Sequence, residues 1–159
     1  MGTQQVLLIV LAVIIVGVAV AVGITMFSTQ SASANRNAVI ADLQKFAAQA
    51  IAFYKTPAGM AGGGNGSPGF GANLGETQRT CGRWMGFGSD GRFENDNGAY
   101  WLSYRYDRDH ILITGWGNEK GQNPSYSCWC TPSDRRGNVG YYMRVRPKLN
   151  PPFTLGTYN

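Results

Sequence analysis

The chain has 159 residues, with 14 Lys and Arg against 9 Asp and Glu and a formal charge of +5. That length holds one folded head of modest core beside a long apolar stretch. The basic residues Arg79, Arg83, Arg92, Arg105, Arg108, Arg135, Arg136, Arg144 and Arg146 are scattered in runs no longer than two. A solvated surface is therefore expected, and no specific nucleic-acid interface.

The first predicted element is residues 6–27, VLLIVLAVIIVGVAVAVGITMF, which contain no charge and no proline; the first charged side chain in the chain is Arg36. As a helix these 22 residues span about 33 Å, enough to cross the hydrocarbon core of a bilayer. No basic segment precedes the run and no A-x-A-like site follows it, so an ordinary secretory signal is not expected. Gly17 and Gly23 are six apart, which is not the GxxxG spacing of close helix dimers. Each costs up to about 1 kcal/mol of helix stability in water, and marks close packing or local unwinding.

Residues 28–35, STQSASAN, are small and polar and carry the helix onward, closing a first segment of 1–35. In segment 36–56 the pattern turns amphipathic. Val39, Ile40, Leu43, Phe46, Ala47, Ala50, Ile51 and Tyr54 form one broad apolar stripe, with Asp42, Gln44, Lys45 and Gln49 largely on the other side. This half is expected to dock on a sheet. Thr56-Pro57 ends it, because the residue before proline leaves the α region.

Segment 57–78 begins with eight glycines in nineteen residues, PAGMAGGGNGSPGFGANLG. It lacks the GK[ST] and the preceding strand of a phosphate loop, so a surface loop is expected. Asn65-Gly66-Ser67 is a glycosylation sequon.

Segment 79–159 reads as antiparallel β. Residues 92–94 and 99–106 flank Asn95-Asp96-Asn97-Gly98, a strong hairpin signal, and Tyr100, Leu102, Tyr104 and Tyr106 alternate with Trp101, Ser103 and Arg105. Asp107-Arg108-Asp109 turns the chain into a strand at 110–116, and 126–131 and 139–146 give two more. The predicted class is α+β, a long helix packed by its second half on a roughly four-stranded antiparallel sheet in meander order. Pro147, Pro151 and Pro152 predict an irregular surface tail.

Little here points to catalysis. The one histidine, His110, opens a strand with no nucleophile or carboxylate placed beside it by a motif, so an exposed strand-end residue is expected and no enzyme. Glu94, Asp96 and Asn97 before Gly98 are oxygen-rich, but lack EF-hand spacing, and turn chemistry explains them. Of the cysteines, Cys81 is expected in a disulfide with Cys128 or Cys130, because bridging Cys128 to Cys130 would close a strained ring. Neither a metal site nor a cofactor is expected: C-x-C is not the usual zinc spacing, and no C-x-x-C-H occurs.

A short polar start, about twenty apolar residues continuing into an amphipathic helix, and a small β head together resemble a type IV pilin-like protein. The resemblance covers the architecture of the whole chain, with sequence-specific likeness confined to residues 1–54. It implies a short leader cut by a prepilin peptidase and methylation at Met1. The chain would wait in the membrane until assembly machinery draws it into an extracellular helical homopolymer. It implies assembly roles for Met1, Gln5, Leu7, Leu8, Leu11, Ile14, Ile15, Gly17 and Gly23 in the bundled helices. Two departures stand out. Bacterial pilins typically carry glutamate at the fifth mature position to meet a neighbour's terminal amine, whereas Gln5 loses the charge-assisted part of that bond. The mid-helix proline is absent as well, leaving Gly17 or Gly23 as the place to unwind.

Physical reasoning independent of the resemblance also favours polymerisation. Only lipid or a sheath of like helices removes the run 6–27 from water. Burying more than about a thousand Å² at about 25 cal/mol per Å² gives tens of kcal/mol of gross driving force. The competing reading is a non-polymerising, membrane-anchored β module such as a minor pilin. It needs only the span, and leaves the small-polar continuation at 28–35 without a purpose.

Overall fold

The computed structural model describes residues 2–65, 70, 73–104, 110–120 and 138–157. The chain forms two units, Met1–Ala34 and Asn35–Asn159. The longest element, α1 (Thr3–Lys55), supplies all the secondary structure of the first unit and the opening helix of the second.

In the first unit the helix is regular, and three of its polar side chains serve their own backbone. Thr25 Oγ1 donates to the Val22 carbonyl at 2.8 Å, Ser28 Oγ to that of Thr25 at 2.9 Å, and Thr29 Oγ1 to the same carbonyl at 3.0 Å. Hydroxyls satisfied in this way need no water, so they sit in an apolar medium at little cost.

In the second unit α1 is followed by a 3₁₀ turn (Ala58–Met60), then α2 (Leu74–Thr77), which runs directly into a π-helical turn (Gln78–Gly82). Five strands complete it: β1 (Arg92–Asn95), β2 (Gly98–Tyr104), β3 (Ile111–Lys120), β4 (Asn138–Val145) and β5 (Phe153–Thr157). They form one antiparallel meander in sequence order. The α+β class and the meander are as expected, but the sheet has five strands where four were expected.

The core lies between α1 and one sheet face. Val39, Leu43, Phe46, Ala47, Ala50 and Tyr54 are buried as the stripe requires, while Ile40 and Ile51 are partly buried beside them. Phe53, outside the expected stripe, is buried too and meets Trp84 edge to face at 5.8 Å. The sheet answers with period-2 burial in register: Tyr100 pairs with Gly115 and that with Tyr141, and Leu102 pairs with Ile113 and that with Met143. Phe46 is the aromatic hub, packed edge to face on Phe87, Phe93 and Tyr100 at centroid distances of 4.9, 5.3 and 5.2 Å. Gly115 and Gly117 let the helix come close. A Cβ on Gly115 would meet the Tyr100 ring and Val39, and one on Gly117 would meet the Asn35 side chain.

The glycine-rich stretch does more than wander over the surface. Its backbone turns back so that Gly63 N–H donates to the Phe53 carbonyl (2.8 Å), Asn65 N–H to that of Tyr54 (2.9 Å) and Gly64 N–H to that of Thr56 (2.8 Å). Carbonyls at and just beyond the C-terminal end of α1 thereby gain partners from the loop. The expected loop 57–78 is also too long at its far end. Asn73 caps α2, its Oδ1 accepting from Glu76 N–H at 3.0 Å, so a helical segment begins at Leu74.

Two further expectations are corrected. The tail is not irregular throughout: residues 153–157 pair with β4, from Val145↔Phe153 to Tyr141↔Thr157. The prolines stop short of this strand, so none removes a donor from its ladder. His110 is not exposed but 5% accessible, immediately before β3. The strand expected at 126–131 and the turn at 107–109 lie outside the described residues.

Candidate assembly helix and the polar fastener of the head

From residue 6 to 27 every large apolar side chain is between 50% and 75% exposed within the chain. Leu7, Leu11, Ile14 and Ile15 share one stripe by helical spacing. Leu8, Ile9, Val10, Val13 and Val16 occupy the remaining directions, so no polar face exists. A helix apolar all round is one that is surrounded. Gln5 lies in the first turns, its N–H donating to the Gly2 carbonyl at 2.9 Å. Gly17 and Gly23 have open space where a Cβ would stand, leaving flat spots on the cylinder for close approach. Met1 lies outside the described residues. Among the described residues this is one helix long and apolar enough to cross a membrane.

In the head, a polar cluster joins α1 to the β1–β2 hairpin. Asp42 Oδ2 accepts from Asn95 Nδ2 (2.9 Å), Asn97 Nδ2 (2.9 Å) and Tyr100 Oη (2.7 Å). Asn95 turns its Oδ1 to the N–H groups of Asn97 and Gly98, each at 3.0 Å, which makes the turn itself. Asn35 Nδ2 donates to the Asn97 carbonyl at 2.8 Å and Asn118 Nδ2 to that of Asp96 at 2.7 Å. Burial pushes the pKa of Asp42 up, but the bonds from Asn97, Tyr100 and Asn95 and the charge of Lys45 outweigh it. The net pKa lies below the ordinary 3.8. Tyr100 is held protonated, its pKa raised first by burial and then by its bond to that carboxylate.

The sequence placed Asp42 on the solvent side of the stripe and the Asn-rich turn in the role of a turn alone. Both readings missed the link. Asn95 and Asn97 use amide donors on a carboxylate, so their oxygen-rich look belongs to a fastener between helix and hairpin. The available signal was Tyr100, whose hydroxyl on the core side of a strand needs a partner.

The remaining expected site residues are dispersed. Asn65 is exposed at the end of the helix-capping loop, with φ of 59°. Cys81 lies wholly buried in the π-helical turn, without a disulfide partner among the described residues, and burial pushes the pKa of its thiol up to about 12. Cys128 and Cys130 lie outside the described residues. No family model matches the chain, and no curated protein or solved structure matches it either.

Proposed function

We propose that the chain is a structural subunit that polymerises, through bundling of its N-terminal helices, into an extracellular filament of the type IV pilus kind. One observation carries the reading: a charge-free helix, apolar in every direction over 6–27, is part of the same α1 whose later turns form the spine of a folded head. Such a helix has two stable surroundings, lipid and a sheath of like helices. The absence of charge before Arg36 suits both, since neither leaves an ion unpaired in a dry core. Before assembly the segment anchors the chain in the membrane with the head outside. Membrane, prepilin peptidase and assembly machinery are then its earlier partners, and other copies of itself its final one. The chain acts as a building block and not as an enzyme.

Shear fractionation of cells making the protein tests this. The wild-type chain should appear in the sheared supernatant, and Ile14→Asp should remove it from there. The substitution puts a charge at the centre of the run, costing roughly 3 kcal/mol for insertion in a bilayer. A wild-type chain found only in membranes would contradict polymerisation and favour the anchored module.

A further inference from the structure

The sequon singled out at 65–67 has no part in polymerisation, and the structure gives its asparagine an unusual setting. The sequence N-x-S/T with x other than proline occurs once in the chain; Asn123-Pro124-Ser125 is barred by its proline. Most other asparagines of the described head are occupied. Asn35 and Asn118 donate to carbonyls, Asn73 caps α2, and Asn95 and Asn97 hold Asp42. Asn65, by contrast, is exposed, and among the described residues no hydrogen bond to its side-chain amide is found. Its backbone is nevertheless fixed, since its N–H donates to the Tyr54 carbonyl at 2.9 Å beside the firmly packed end of α1. Gly64 and Asn65 are both left-handed, with φ of 70° and 59°. This conformation suits a tight turn, and asparagine tolerates it better than most residues. The result is an exposed amide on a residue whose backbone is tied to the end of α1.

We infer that Asn65 is the attachment site of an N-linked oligosaccharide. This rests on the reading that the head lies outside the cytoplasm. The donor required is an oligosaccharide carried on a lipid pyrophosphate. The Asn65 amide nitrogen forms a bond to the sugar's anomeric carbon as that carbon's bond to the pyrophosphate oxygen breaks. Lipid pyrophosphate departs, and the amide proton passes to a base of the transferring enzyme. No electrons change hands. A glycan here would add bulky polar cover to a loop that carries the exposed Met60 and a run of glycines.

Mass spectrometry of the full chain, isolated from the cells that naturally make it, tests the inference, with sheared and membrane fractions analysed separately. A mass increment of at least one sugar is expected on the peptide containing Asn65. It should vanish completely in both Asn65→Gln and Ser67→Ala while the amount of protein is kept. A bare Asn65 peptide in both fractions, or an increment that survives in Asn65→Gln, would overturn the inference. A glycan on Asn65 in a chain confined to the membrane fraction would support it while counting against polymerisation. Filaments built of bare chains would do the reverse.

Discussion

Asp42 shows how much a single side chain contributes to the head. Three donors converge on one carboxylate oxygen, and bonds to an ionised acceptor contribute about 1.5–3 kcal/mol each where burial shields them. Asp42→Asn keeps the shape but loses the charge and turns an amide towards two others, so a loss of about 2 kcal/mol is expected in urea unfolding of the full chain in detergent. The pH dependence has a definite sign. Because the folded pKa of Asp42 lies below its ordinary 3.8, its stabilisation is complete above that value and is lost as pH falls through the folded pKa. Acid destabilisation below about pH 4 should therefore be shallower in Asp42→Asn than in wild type. Equal acid limbs would show that Asp42 is not the fastener. Cys81 makes a second residue-scale case. With its pKa raised to about 12 and no exposure, it should resist iodoacetamide in the folded chain and react once unfolded, without reductant. A requirement for reductant would instead show the disulfide expected from the sequence, to Cys128 or Cys130, which lie outside the described residues.

At the scale of elements, the periodic ones were legible and the paired ones less so. The stripe from Val39 to Tyr54 announced the docked half of α1, since burial on one helix face leaves a 3.6-residue signature. Alternation in β2 did the same for the sheet. β5 was missed because FTLGT is short, follows two prolines, and owes its place to Tyr142 and Met143 across the ladder. No local pattern encodes that. The fastener was hidden for a related reason: Asp42 and Asn97 are 55 positions apart, and only the close seat of α1 on β3 brings them together. The β1–β2 hairpin offers a test. A Cβ on Gly98 would strike the backbone carbonyl of Trp116, which cannot turn aside as a side chain would. Gly98→Ala should therefore cost about 2 kcal/mol or more and loosen the hairpin from β3, read as faster amide exchange at residues 99–103 and 112–116. Exchange unchanged from wild type would mean that the strands do not approach so closely.

For the whole molecule, the division of labour was plain in the sequence, because charge and polarity are compositional. Residues 1–35 carry no charged side chain, and all 14 basic and 9 acidic residues lie beyond them. Among the described residues the large apolar side chains of 6–27 are exposed, and the second unit has a hydrophobic core of its own. A chain built in this way is incomplete as a soluble monomer, and polymerisation would complete it.

Cryo-electron microscopy of material sheared from the producing cells tests that claim most directly. Thin filaments are expected, with this chain as their main component, a central bundle of helices running through residues 6–27, and β heads on the outside. Filaments lacking this chain, or a chain held entirely as monomers in the membrane, would contradict it.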